Sequence, residues 1–163
     1  QLNLHKFNLT EESFTQEALI SEKMDDLAKI IHQDYLDGIE KKNPAKVSHQ
    51  PWELLPVDFK NQNREQADHL FVKLRALGGK TSAIEKIKNI DDLSLELLSE
   101  MEHNRWWAHM ALSGWQLAEK RDDKRKFHTD LKPYNELPDE VKQYDRNTIL
   151  NIPKLIEKYE QKS

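Results

Sequence analysis

Two proline-bracketed turns constrain this chain more than anything else in it. Pro51, Trp52, Leu55, Pro56, Lys60 and Arg64 fall opposite Pro133, Tyr134, Leu137, Pro138, Lys142 and Arg146, each pair 82 positions apart with no gap. Upstream, Leu27, His32 and Tyr35 fall opposite Leu98, His103 and Trp106, 71 positions apart. The difference of 11 is close to the length of a charged loop around Arg121-Asp122-Asp123 that only the second half contains. Self-similarity of this kind is the mark of a duplication, here with one degenerate copy. It implies an all-α domain of two helix-turn-helix units, in which each unit's apolar stripe is covered mainly by the other. A pseudo-twofold axis between them is the expected arrangement.

The helical pattern follows the same division. Residues 1–20 have scattered apolar positions without a period and read as a strap or connector. The first unit, 21–79, opens with Ser21 as N-cap and carries Met24, Leu27, Ala28, Ile31 and Tyr35 on one face. After a polar connector, Pro56 is placed at the first position of a helix with a buried stripe of Phe59, Ala67, Leu70, Phe71, Leu74 and Leu77, stopped by Gly78-Gly79. Residues 80–93 form a linker with room for one short helix. The second unit, 94–163, has Ser94 as cap of a central helix on which Leu98, Met101, Arg105, Ala108 and Leu112 point one way and His103, Trp106, Trp107 and Met110 another. Gly114 ends that helix, Pro138 starts the next, and Pro153 interrupts it.

Composition removes several classes of function. Cysteine is absent, which excludes disulfides and thiol catalysis and fits an intracellular, cytoplasmic setting. No run approaches the ~20 apolar residues of a membrane span. A net charge of −4 gives no overall attraction to nucleic acid, and the basic stretch from Lys120 to Lys126 reads as a solvated face. No nucleophile stands beside a base in a known motif, Asp122, Asp123, His128 and Asp130 lack the spacing of a metal loop, and Gly78-Gly79-Lys80-Thr81 lacks the first glycine of a phosphate loop. Catalytic residues, metal ligands and a bound cofactor are therefore not expected.

Between Leu98 and Ile156 six ordered elements accumulate: His103 to Trp106, Gly114-Trp115, Arg121 to Asp123, His128 to Tyr134, Leu137-Pro138 and Tyr144 to Arg146. Their order resembles that of the ryanodine-receptor repeat (RyR) domain, in the tandem form of prokaryotic proteins, over about half of the chain. One departure is that Gln116-Leu117-Ala118-Glu119-Lys120 stands where the channel repeats usually have a Tyr-Gly pair. The resemblance implies a regulatory module of a larger, bacterial-type protein, joined at its N-terminal side to a nucleotide-binding or transport-regulatory domain; the chain's opening at Gln1 instead of Met agrees with a piece of something longer. Because the paired repeats of calcium-release channels are thought to hold adenine nucleotide, the resemblance also implies a nucleotide or a similar planar anion.

The residues allow such a site. His32 with Tyr35 and His103 with Trp106 are placed as mates across the groove where the halves meet, and grooves between related halves are common ligand sites. A planar ring between Tyr35 and Trp106 would gain stacking, the two histidines would orient it, and Arg121, beside Asp122, would meet a phosphate. The bland alternative is that the same aromatics and histidines simply pack in the core. Likewise Asp122 can cap its own turn, while Arg121 ties to Asp145 or Glu102 and pins the loop. A protein-interaction domain using Trp52, Trp107 and Trp115 as anchors is the second function class. A nucleotide-processing enzyme built on His32, His103 and Asp122 is the third.

Overall fold

A computed structural model describes residues 25–162. The fold is all-α. Helix α1 covers 25–37, followed by α2 (Val57–Ala76), α3 (Lys80–Lys88), α4 (Asp92–Leu112), α5 (Asp139–Leu150) and α6 (Ile152–Lys162). The only strands among the described residues are two-residue segments, β1 (Gln116–Leu117) and β2 (Phe127–His128), paired in parallel inside the long loop after α4. The strap and the Ser21 cap lie outside the described residues. No described helix is long and apolar enough to cross a membrane.

The core joins all six helices. Leu27, Ala28 and Ile31 of α1 meet Ala67, Leu70 and Leu74 of α2, Leu98 of α4, Ile149 of α5, and Ile152, Leu155 and Ile156 of α6. Ala83 and Ile87 of α3 belong to the same cluster, so the segment expected as a linker contributes a helix to the core. Two glycines with positive φ, Gly78 at 91° and Gly79 at 95°, make the sharp turn between α2 and α3.

Local contacts recur at the offsets seen in the sequence. Single 3-10 turns occupy Trp52–Leu54 and Tyr134–Glu136, and Pro56 and Pro138 follow as N-caps with φ, ψ of −57°, 153° and −58°, 150°. Each proline was expected at the first helical position but is the N-cap just before it, and its carbonyl accepts a first-turn helical bond, from the amide of Lys60 at 3.0 Å and of Lys142 at 3.1 Å. Arg64 pairs with Asp25 and Arg146 with Glu96. Lys60 lies 5.8 Å from the Trp52 ring centre and Lys142 5.0 Å from that of Tyr134.

Three local expectations are corrected. Asp91, not Ser94, caps α4: its carboxylate accepts from the Ser94 amide at 2.9 Å and from the Ser94 hydroxyl at 2.7 Å, whereas Ser94 lies inside the first turn. The buried side of α4 carries Leu98, Ser99, Glu102, His103, His109 and Met110, while Leu112 is 90% exposed and Ala108 also faces out. On α2 the partly exposed Phe71 and the buried Lys73 exchange their expected places. Apolar period alone misplaces these faces because polar side chains with partners can be buried.

Candidate ligand site

His103 is the centre of the second half. It is 2% exposed, its Nε2–H donates to the Lys132 carbonyl at 2.8 Å, and Nδ1 stands 3.6 Å from the Asp145 carboxylate. Burial works against its charge, but Asp145 and the Lys132 carbonyl outweigh burial and raise its pKa above the ordinary 6.5. Burial lifts the Asp145 carboxyl above its usual range despite His103. Rings crowd the imidazole: Trp106 at 5.6 Å, Tyr134 at 5.9 Å and Trp107 at 6.2 Å between centres.

The loop after α4 returns to this cluster. Gly114, with φ 83°, turns the chain out of the helix, and the parallel pairing brings His128 back beside it. The departure at Gln116 to Lys120 is thereby explained locally, since Gln116–Leu117 supplies one of the two paired segments. His128 sets its edge against Trp106 at 5.0 Å and Trp115 at 6.1 Å. Its Nε2 accepts from Arg121 Nη1 at 3.1 Å, a bond that needs the neutral ring. Burial and the Arg121 charge hold the His128 pKa below its ordinary value.

Arg121 thus ties neither to Asp145 nor to Glu102. Its Nε donates to Asp123 Oδ1 at 2.6 Å and its Nη2 to Oδ2 at 3.4 Å, with the Arg121 side chain 57% exposed. Asp122 shapes the turn, its Oδ1 accepting from the amides of Lys124 at 3.0 Å and Arg125 at 3.1 Å.

The first half repeats the histidine bond. His32, 4% exposed, donates from Nε2 to the Gln50 carbonyl at 2.7 Å, and Gln50 matches Lys132 by the same offset of 82. Its ring neighbours are Tyr35 and Trp52, both at 6.2 Å. Tyr35 turns partly outward, 44% exposed, with its hydroxyl 3.2 Å from Ser48 Oγ and its ring 6.2 Å from His49.

The six candidate residues therefore lie in two groups. His32 and Tyr35 share one, and His103, Trp106 and Arg121 share the other through His128, with Asp122 in its turn. No ring contact among the described residues joins the groups. The Asp123 carboxyl is held below the usual carboxylate range, chiefly by its bonds to Arg121. Ser48 and His49 on the connector after α1 were not legible as neighbours of Tyr35, because nothing in their local pattern says where that connector lies.

A second polar cluster lies between α2 and α4. Lys73, 1% exposed, donates to Glu102 Oε2 at 2.5 Å and to His69 Nδ1 at 3.0 Å, and Arg105 donates to Glu102 Oε1 through Nε at 3.0 Å and Nη2 at 2.7 Å. His109 pairs with Glu65 at 2.7 Å. An open cavity of about 500 Å³ borders the cluster, lined by Glu65, Asp68, His69, Phe71, Val72 and Arg75. No three metal-binding side chains among the described residues gather into a metal site.

Comparison with known families places this geometry. The family model described as "RyR domain" matches residues 80–162, which include α3 to α6 and the whole His103, Trp106, His128 and Arg121 cluster. None of the curated proteins compared matches the chain.

Proposed function

Since the chain belongs to the RyR domain family, we propose that it is a non-enzymatic regulatory module of a larger intracellular protein, binding a small planar anion in the groove between its two repeats. The proposed anion is an adenine nucleotide. The observation that supports this reading is the packing of Trp106 against His128, whose Nε2 accepts from the half-exposed Arg121, since it sets an aromatic ring beside an accessible guanidinium. Tyr35 and half-buried Trp106 then supply faces for a planar ring, each worth about 1 to 3 kcal/mol by analogy with base stacking. Arg121 offers a guanidinium for the anionic end. His103 acts as the brace that sets the Trp106 ring, because both of its nitrogens face partners. That occupancy also favours a binding role over acid-base catalysis.

A docking module is the second reading, and it draws on Leu93 at 71% exposure, Leu97 at 59% and Leu112 at 90%, all on α4. Thermal unfolding against adenine and guanine mono-, di- and triphosphates separates the two. A ligand present at 100 times its dissociation constant adds about 2.7 kcal/mol. The expected result is a raised melting temperature with an adenine nucleotide and none in Trp106→Ala. Absence of a shift with every nucleotide would move the assignment to the docking reading.

A further inference from the structure

The outer face of α4 has a symmetry of its own. Leu97, Glu100, Asn104, Ala108 and Ala111 are all exposed, and at about 100° per residue they fall on one narrow stripe of the helix, with exposed Leu93 a turn further out. Their spacing is the same read from either end: Leu97 and Ala111 stand seven positions from Asn104, and Glu100 and Ala108 stand four. His103 and Trp106 point to other sides of the helix, so the stripe is separate from the proposed ligand groove.

Such a face is complementary to itself when two copies run antiparallel about Asn104. Leu97 of each copy then falls opposite Ala111 of the other, and Glu100 opposite Ala108, so a long side chain meets a short one at each step, as close helix packing requires. Asn104 meets Asn104, and because an amide carries both donor and acceptor, the two side chains can bond to each other. A lone Asn on a helical seam sets register and the number of partners.

Charge fixes the direction. Asp91 and Asp92, both exposed, stand at the first end of α4. At the other end the exposed Lys126 donates from Nζ to the Ser113 carbonyl at 2.8 Å, which holds its ammonium at the helix C-terminus. Lys124 and Arg125 are exposed beside it. A parallel pair would set acid against acid, whereas an antiparallel pair brings the acidic end of each copy to the basic end of the other. A second copy of this chain thus supplies both the mirrored spacing and the opposite charges.

We infer that two copies of this chain associate through an antiparallel α4–α4 contact with its twofold axis at Asn104. The contact is independent of the ligand reading, and it names the partner that the exposed leucines of the docking reading would meet.

Sedimentation velocity of the full chain between about 1 and 200 µM, together with oxidative cross-linking, tests the inference. The wild type is expected to pass from monomer to dimer in that range, and Leu97→Asp, at an exposed position, to raise the dissociation constant about tenfold or more. Asp92→Lys should weaken the dimer, and Asp92→Lys combined with Lys126→Glu should recover it. The chain has no cysteine of its own, so single introduced cysteines report the axis. A disulfide needs Cα atoms within about 7 Å of each other. Asn104→Cys should therefore link the two copies on oxidation, whereas Leu93→Cys, 11 positions from the axis, should not. Equal or greater cross-linking by Leu93→Cys, no cross-linking by either, or a dimer unaffected by Leu97→Asp would overturn the inference. A monomer at every concentration would overturn it as well and leave this face to a different protein. Circular dichroism of each variant checks that the fold is kept.

Discussion

Glu102→Ala is expected to lower unfolding stability by about 3 to 5 kcal/mol, the usual cost of removing one partner from a buried ion pair. The carboxylate is 3% exposed and serves two cations, Lys73 and Arg105, whose side chains are 2% and 11% exposed. Without it both charges remain in the α2–α4 contact, where Arg105 Nη1 already has no hydrogen-bond partner among the described residues. The penalty comes from the stranded charges more than from the lost attraction. Glu102→Leu combined with Lys73→Met should therefore cost clearly less than Glu102→Ala alone. Urea unfolding measures both. Burial opposes ionisation of Glu102, but Arg105 and Lys73 outweigh it and hold its pKa below the ordinary 4.5. A depressed carboxyl contributes stability that is present above pH 4.5 and lost as pH falls through the lower folded-state value. Glu102→Gln should flatten that acid limb, and an unchanged limb would show that other carboxylates set it.

His103→Ala comes next, with an expected loss of about 3 to 5 kcal/mol, against about 1 to 3 kcal/mol for His32→Ala. The two histidines make the same bond to a carbonyl at matching positions, 2.8 and 2.7 Å long. They differ in what stands behind them: Asp145 faces His103, and its counterpart by the offset of 82 is Asn63, whose amide donates to the Phe59 carbonyl. Removing His103 leaves a largely buried carboxylate without its partner. Because the folded-state pKa of His103 is raised, its contribution is full below pH 6.5 and fades as pH rises through the folded value. The stability difference between wild type and His103→Gln should thus shrink as pH rises above 6.5, a comparison that cancels the opposite slope from His128, whose pKa is depressed. Equal losses for His103→Ala and His32→Ala would show that the Asp145 pair adds nothing.

The helical architecture was legible in the sequence because its signals are local: prolines at 56 and 138, glycines at 78, 79 and 114, and the period-of-four run through Leu27 and Ile31. The paired offsets matched His32 with His103 and Arg64 with Arg146, and each matched pair makes the same kind of bond in the structure, though its partners were not legible. Polar burial was not legible. Lys73 and Glu102 are ordinary helix-surface residues in sequence, and they enter the interior only because they find each other 29 positions apart. The same limit applied to Arg121, whose partners, Asp123 and His128, depend on how a loop closes through a two-residue strand pairing. On α4, Leu112 looks like core by period, yet it lies in the last turn, where the helix has already left the packed region.

The decisive measurement is side-chain NMR of the full chain during titration with adenosine 5′-monophosphate, following the tryptophan indole N–H, tyrosine ring and arginine Nε–H signals. The expected result is saturable shifts at Trp106, Tyr35 and Arg121, with the signals of Trp52 and the α2 face near His69 unmoved. Shifts confined to the α2 cavity, or no shift at Trp106 and Arg121 at saturating nucleotide, would contradict a ligand held between the two repeats.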